Sequence, residues 1–385
     1  MGCMNYVPFG KLGFDVSRLG FGCMRLPTRM EGDKKVIDRE EAVRMIRRAI
    51  DAGVTYIDTA YGYHGGESET VVGLALRDRY REKVTLTTKL PYWAVEEKGD
   101  LDKVLDLQLK RLGLPGVDFY ILHAMSRDAY AKLDALDFKG FYARALRDGR
   151  IRHTGFSFHD DYAAFLRILG DYPFDMAQVQ FNYLDVDHQA GLKGVEEAGK
   201  RGTAVVVMEP LRGGALANPP KELKTLIAQN ARGWSPAEWA LRYVGDRKEV
   251  VTILSGMSEM SQVEDNLRIF SADDFKPGMF DGADAAFAGL LRAEYKKRVP
   301  IGCTGCEYCL PCPRGVAIPR LFHDYNEAKM LGREKDFIGD YKAALDKEHD
   351  AGRCVRCGRC EGLCPQHLPI MTWLKTLRNE YEASL

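Results

Sequence analysis

From residue 18 to residue 275 the sequence alternates short apolar, β-prone runs with longer stretches of helical periodicity. No other feature narrows the fold as much. The β-type runs are 18–24, 55–57, 84–86, 117–122, 151–157, 176–181, 203–208 and 250–254. Among the helical stretches, residues 39–52 carry Ala42, Val43, Ile46, Ala49 and Ile50 at helical spacing, with Gly53 at the exit. Residues 67–77, 101–112, 161–169, 189–200 and 236–244 read the same way. Eight such strands with intervening helices predict an α/β fold of the (β/α)8 TIM-barrel type. A doubly wound open sheet would need a Gly-x-Gly-x-x-Gly turn after a strand, and none follows any of these runs. Residues 6–16, with Gly10 and Gly13 in the middle, read as a hairpin that plugs the barrel's bottom.

The cysteines mark a second unit. The chain has ten, and all but Cys3 and Cys23 lie between Cys303 and Cys364. Residues 1–275 are therefore read as the barrel with its hairpin. Residues 276–298 are a linker at Pro277–Gly278 and a connecting helix (284–298), and residues 299–385 a small cysteine-rich domain. Basic and acidic residues number 55 each, so the net charge of zero offers no global field toward nucleic acid or an acidic membrane. Apolar runs fall short of the roughly 18 residues of a membrane span. Residues 1–10 show no basic n-region followed by an apolar h-region, so the expectation is a cytoplasmic protein. In a reducing compartment clustered cysteines point to metal rather than disulfides.

Four polar side chains fall at the C-terminal ends of adjoining strands, where barrels place their chemistry. Asp58 closes the run Thr55–Ile57, and Tyr63 follows in a Gly-containing turn. Lys89 ends the third run, and His123 ends the fourth. The set suits proton transfer to a carbonyl. A tyrosine titrates near 10, a neighbouring ammonium such as Lys89 would lower that, and Asp58 would hold the lysine. His123 would orient the carbonyl or donate to its oxygen.

Asp58-Thr59-Ala60-x-x-Tyr63, Lys89 and His123 resemble the Asp–Tyr–Lys–His tetrad of the aldo-keto reductase family, over roughly residues 5–275. The resemblance implies a (β/α)8 barrel that binds NAD(P)H without a Rossmann domain. It also implies hydride passage between nicotinamide and a carbonyl carbon, with Tyr63 as acid or base. By the same resemblance Ser157 and Gln178 bind the nicotinamide carboxamide, although Phe158 replaces the family's asparagine. Met208 stands where an aromatic ring often stacks. Leu211, Gly213, Ser255 and Gly256 follow the last two strands, on the phosphate side, and Ser258 would cap the next helix. Asp265 and Asn266 match adenine-side positions. Where members gripping the 2′-phosphate of NADP place a lysine and an arginine, this chain has Gly256 and Gln262. NADH use is therefore open, with Arg268 the one residue that could compensate.

The cysteine-rich end contains two runs. Cys303, Cys306, Cys309 and Cys312 recur every third residue before Pro313, and Cys354, Cys357, Cys360 and Cys364 precede Pro365. The second run has the bacterial ferredoxin spacing for a 4Fe–4S cluster, and the first lacks one residue of it. Zinc favours separated pairs, so two 4Fe–4S clusters are the expectation and two zinc sites the alternative. In two-cluster ferredoxins the fourth cysteine of each run serves the other cluster. Applied here, Cys303, Cys306, Cys309 and Cys364 hold one cluster, and Cys354, Cys357, Cys360 and Cys312 the second. The intervening residues 318–330 and 336–346 are helical in pattern, so the unit resembles an α-helical ferredoxin and the whole chain the ferredoxin-fused aldo-keto reductases.

The leading expectation is an oxidoreductase acting on a small carbonyl or alcohol substrate, with a redox partner protein for the clusters. One alternative is an electron-transfer or redox-sensing protein in which the clusters are the active element. Another is a reductase whose clusters are structural staples. Met24, Tyr61, Tyr92, Trp93 and Tyr183 are candidate pocket walls, with Arg25 as a charged anchor. A nicotinamide moves two electrons and a cluster one, and no flavin signature is visible to join them.

Overall fold

The computed structural model describes residues 3–385. Met1 and Gly2, part of the stretch read for a targeting signal, lie outside the described residues. Tyr6–Pro8 (β1) and Asp15–Ser17 (β2) pair antiparallel as the expected hairpin, with Val7 opposite Val16. Leu19–Gly22 (β3) follows directly. Thr28–Glu31 (β4) and Lys34–Ile37 (β5) form a second hairpin that the apolar pattern did not reveal, because its side chains are largely exposed.

Tyr56–Asp58 (β6), Thr85–Pro91 (β7), Val117–Met125 (β8), Ile151–Phe158 (β9), Met176–Gln180 (β10), Ala204–Met208 (β11) and Val250–Gly256 (β12) complete the set. They close with β3 into a parallel barrel in the order β3-β6-β7-β8-β9-β10-β11-β12, and β12 returns to β3. Parallel strands covered by helices are buried on both faces, which explains their near-continuous apolar runs.

The hairpin is a plug in the physical sense. Phe9, at its tip, is fully buried with Val16, Tyr56, Phe119, Ile121 and Met176. Its ring lies 4.8 Å from that of Phe119. At the β12–β3 seam the buried Arg18 donates to the carbonyls of Val250 and Gly245, and burial lowers its pKa to about 10.

Helix Arg39–Asp51 begins at Asp38, whose carboxylate accepts the Glu41 N–H, and ends ahead of Gly53 at φ 100°. A Cβ at Gly53 would meet the Tyr6 hydroxyl at 2.7 Å, so glycine there both ends the helix and admits the hairpin. Between β8 and β9 the chain adds two helices not anticipated from the sequence, Arg127–Ala135 and Phe138–Arg147. Asp137 breaks them apart with φ 60° while its carboxylate accepts from Gly140 N–H.

The chain divides into two compact units, residues 3–216 with 237–284, and residues 217–236 with 285–385. Among the described residues the second unit has helices and no strand. Ile318–Leu331 and Glu334–Asp346 form an antiparallel-type pair across Gly332 at φ 65°, and Ile370–Glu382 packs on them. Their shared core contains Ile301, Phe322, Tyr325, Phe337, Tyr341, Leu374, Leu377 and Tyr381. No helix among the described residues is long and apolar enough to cross a membrane.

Candidate active site and cluster loops

Strand register brings the four polar residues together. Asp58, the last residue of β6, lies beside Thr87, and Lys89 is two residues further along β7 on the same face. The Lys89 Nζ donates to Asp58 Oδ1 at 2.5 Å, to the Thr59 carbonyl at 2.8 Å and to the Tyr63 hydroxyl oxygen at 3.2 Å. Asp58 and Lys89 are 2% and 1% exposed. Tyr63 opens a tight turn in which His64 and Gly65 are left-handed, and His64 Nε2 accepts the Leu26 N–H. His123 lies opposite Pro91 in the β7–β8 register, its ring 5.9 Å from that of Tyr63 and edge-on to it. Ser157 clips the backbone on both sides of this histidine. Its hydroxyl accepts the Ala124 N–H at 2.7 Å and donates to the Leu122 carbonyl at 3.4 Å.

The electrostatics differ from the sequence expectation at one point. Burial raises the Tyr63 pKa above 10, and Asp58 adds to this; Lys89 pulls the other way without winning. Lys89 thus lowers the Tyr63 pKa as expected, but burial outweighs it: tyrosine stays protonated, and the ammonium limits the rise. Burial opposes the Lys89 charge, yet Asp58 and Tyr63 together bring its pKa above the usual lysine value. Burial lowers the His123 pKa well below 6.5, helped by Lys89 and His159, so the imidazole is neutral. His123 Nδ1 and Asp58 Oδ2 are buried without a protein partner. Because Lys89 donates to the Tyr63 oxygen, the phenolic hydrogen is left to point elsewhere.

Behind Lys89 lies a buried polar network that sequence reading missed. The Gln108 Nε2 donates to Glu69 Oε1 at 2.6 Å, to Thr88 Oγ1 at 3.0 Å and to the Lys89 carbonyl at 3.1 Å. Its Oε1 accepts from the Tyr120 hydroxyl, and Thr88 also donates to Glu69. Arg111 joins Glu69 to the Tyr61 carbonyl and lies over the Tyr61 ring. The only sequence signal was a glutamine on the apolar face of the helix Lys98–Leu112 and a glutamate on that of Glu67–Ala75.

Residues expected to face a cofactor divide into two groups. Gln178 is buried beside Met208, and its Oε1 has no protein partner, which suits an amide donor such as a nicotinamide carboxamide. Ser157 is instead engaged with the strand end that carries His123. After β11 the loop runs through left-handed Glu209, Arg212, Gly213 and Gly214, and the Leu211 carbonyl accepts from Gly214 and Leu216. The Glu209 carboxylate accepts the Gly213 N–H. Arg25, read as a substrate anchor, packs against Gly256 and Gly213 and lies 3.8 Å from Glu209.

Asn266 is buried and donates to Ser255 Oγ at 2.9 Å. Ser258 does not cap the last barrel helix. Glu259 stands at that position, and the Ser258 N–H donates to Gln262 Oε1. Arg268 is paired with Glu238 and Asp265, so its charge is already neutralised. Of the proposed walls, Met24 and Trp93 are exposed, and the Trp93 ring lies 4.9 Å from His123 with Tyr92 edge-on to it. Tyr183 is buried against Tyr243 and belongs to the core. Cys23 is fully buried, and burial with Asp58 pushes its thiol well above the usual range.

In the second unit the eight cysteines line two cavities. One is bordered by Cys303, Cys306, Cys309 and Cys364 with Ile318, Phe322 and Ile370. The other is bordered by Cys312, Cys354, Cys357 and Cys360 with Leu374, and Cys309 also reaches it. The Cys309 thiol is pushed up to about 11 by burial and by Cys303, Cys360 and Cys306 around it. Among the described residues no three His, Cys, Asp or Glu side chains close on a point that would hold a single metal ion.

The two runs share one backbone feature. The residues flanking the middle cysteine are left-handed in both, Gly305 and Glu307 about Cys306, and Arg356 and Gly358 about Cys357. A non-glycine residue held there costs roughly 1–2 kcal/mol.

Residues 302–369 match the 4Fe-4S dicluster domain, and residues 18–286 match the aldo/keto reductase family. The aldo-keto reductase yakc [NADP(+)] of Schizosaccharomyces pombe is 29% identical over 213 residues, which are 52% of this chain and 60% of that protein. The chain thus spans less than two thirds of that relative's length. The NADH-specific methylglyoxal reductase of Escherichia coli is 27% identical over 312 residues, 69% of this chain and 93% of that protein. Among solved structures, the holo form of aldo-keto reductase AKR11C1 from Bacillus halodurans superposes with a TM-score of 0.62 at 25% identity. It covers 75% of this chain and 96% of its own. The closed parallel barrel and a family match spanning most of the sequence agree: the chain belongs to the aldo/keto reductase family and carries a 4Fe–4S dicluster domain after its barrel.

Proposed function

We propose that the barrel reduces an aldehyde or ketone, or runs the reverse reaction, with Tyr63 as the general acid or base. The observation that carries this reading is the buried Asp58–Lys89 pair delivering its ammonium to the Tyr63 oxygen at 3.2 Å, beside a neutral His123 with an open ring nitrogen. A bound nicotinamide dinucleotide supplies the hydride. Tyr63 gives its phenolic proton to the carbonyl oxygen as charge develops there, and Lys89 stabilises the tyrosinate left behind. Asp58 keeps Lys89 cationic and placed. A neutral His123 can donate a hydrogen bond to the same oxygen without competing as an acid. Gln178, with its free Oε1, would hold the carboxamide, and Arg25, beside Gly213 and Gly256, would face the phosphates.

Residues 255–268 contain three acids and one base, Arg268, whose charge is taken by Glu238 and Asp265. That balance disfavours a 2′-phosphate and supports NADH, the cofactor named for the E. coli relative. Tyr63→Phe is the test. It should abolish carbonyl reduction while leaving NADH binding intact, and unchanged turnover would overturn the assignment.

Two 4Fe–4S clusters fit the eight cysteines, in the crossed sets Cys303, Cys306, Cys309, Cys364 and Cys312, Cys354, Cys357, Cys360. Exposure of Cys306 and Cys357 favours clusters that exchange electrons with a partner over buried staples. A redox titration separates these readings, since staples would stay silent across the range in which NADH or a carrier protein acts.

A further inference from the structure

The two cluster loops have left-handed residues at matching positions but carry opposite charge. In the first run the left-handed positions hold Gly305 and Glu307, and the cavity rim adds Thr304 and Gln366. In the second they hold Arg356 and Gly358, and the rim adds Arg314 and Arg359. Arg314, Arg356 and Arg359 are all exposed, and none has a carboxylate partner among the described residues. Arg353 is half-buried, reaches Glu348 at 3.5 Å and donates to the Arg314 carbonyl, which ties the Cys312 segment to the second run.

Two acids lie nearby, and neither forms an ion pair with these arginines. Glu361 accepts the Met371 N–H, and the buried Asp350 accepts the Gly352 N–H. Within this cationic rim two apolar or ligand groups reach solvent, Val355 at 58% exposure and Cys357. Arg356 holds its place at φ 56°, a conformation that glycine would adopt freely.

We propose that the surface formed by Arg314, Val355, Arg356, Cys357 and Arg359 is the docking site of an acidic one-electron carrier protein, which exchanges electrons with the cluster held by Cys312, Cys354, Cys357 and Cys360. This rests on the cluster reading above. Three unpaired guanidinium groups around an exposed thiolate ligand supply steering, and Val355 supplies a dry contact at the point of closest approach. At each encounter the reduced carrier loses one electron and the cluster gains one, passing from the 2+ to the 1+ state, with no bond made and no proton moved. The same arginines stabilise the added negative charge, whereas Glu307 disfavours it at the other cluster. The arginine-rimmed cluster is thus the one of higher potential and the entry point.

The test uses the full chain purified anaerobically with both clusters, and the triple variant Arg314→Gln, Arg356→Gln, Arg359→Gln. Iron and sulfide are measured first. Stopped-flow reduction by an acidic flavodoxin should be roughly tenfold slower in the triple variant at low ionic strength, with a flattened salt dependence. The corresponding triple lysine variant should recover the rate, and Glu307→Gln should leave it unchanged. Potentiometry followed by electron spin resonance should show the higher-potential cluster shifted downward in the glutamine variant. Equal rates with an unchanged salt slope, or retention of an oligonucleotide in place of flavodoxin, overturn the proposal. A wild-type chain without iron and sulfide refutes the cluster reading itself, and this surface with it; full clusters with indifferent arginines refute the surface alone.

Discussion

Replacing Lys89 by methionine would strand a carboxylate inside the barrel. Asp58 is 2% exposed, and Lys89 Nζ at 2.5 Å is its countercharge. Removing one partner of such a buried pair costs about 3–5 kcal/mol. The lost bond from Lys89 to the Thr59 carbonyl adds roughly 1 kcal/mol, so the expected loss at pH 8 is about 4–6 kcal/mol.

The pH dependence gives the sharper signature. Burial raises the Asp58 pKa and Lys89 opposes it, so without the lysine the carboxyl titrates higher still. A group whose folded pKa is raised binds its proton more tightly in the folded state, and its contribution to stability grows as pH falls. The variant should therefore regain stability from pH 8 to pH 5, by at most about 1.4 kcal/mol per pH unit. In the wild type the raised Lys89 pKa contributes stability that is fully present below the unfolded lysine value near about 10.4. It is lost only as pH rises through the folded value, so Lys89 itself adds no slope between pH 5 and 8, and the variant's slope should exceed that of the wild type. Thermal unfolding of the barrel at three pH values reads this directly, with cluster absorbance followed separately for the second unit. The double variant Asp58→Asn, Lys89→Met should recover most of the stability and none of the turnover. A pH-independent loss that Asp58→Asn fails to relieve would refute the reasoning.

Gln108→Leu removes the donor shared by Glu69, Thr88 and the Lys89 carbonyl. It should destabilise by roughly 2–4 kcal/mol and lower kcat more than the KM for cofactor, as steady-state kinetics and unfolding would show. Phe9→Ala should cost about 3–5 kcal/mol through a cavity at the barrel floor while leaving residual turnover per folded molecule unchanged. Gln262→Arg should raise kcat/KM for NADPH relative to NADH by about tenfold, since one charge-assisted bond near 1.4 kcal/mol suffices. Because His123 is neutral well below 6.5, the pH profile of kcat/KM for carbonyl reduction should show no acid limb in that region. A limb that disappears in His123→Gln would contradict this.

The parts of the fold legible in the sequence were those set by burial on both faces of a strand. The eight barrel runs and the Phe9 hairpin follow from apolar periodicity and glycine placement, and they came out where the pattern put them. The exposed β4–β5 hairpin and the helices Arg127–Ala135 and Phe138–Arg147 were not legible. Their residues alternate charge with apolar contacts, and the break at Asp137 depends on one left-handed residue. In the site, the four polar residues were readable because Asp58 closes a strand, Lys89 and His123 follow apolar runs within theirs, and Tyr63 lies in the turn after the first. The Glu69–Gln108–Arg111 network was not, since its members come from helices whose polar residues look like surface. Nor could the sequence tell that Ser157 serves the backbone around His123, or that Arg268 is spent on Glu238. Both depend on which partner is nearer in space.

The way the cysteines share their two cavities also sets a timetable. The first cavity needs Cys364, and the second needs Cys354 to Cys360 with Met371 and Leu374 in its wall. During synthesis the first run leaves the ribosome with its thiols uncovered, and neither cavity can be enclosed until the helix Ile370–Glu382 has followed. Iron and sulfide are therefore enclosed only after this helix has been made, later than the barrel strands. The interval before closure is when Cys303 to Cys312 are most open to oxidation, so this topology adds a hazard during biosynthesis to the one that the exposed Cys306 and Cys357 carry in the folded chain.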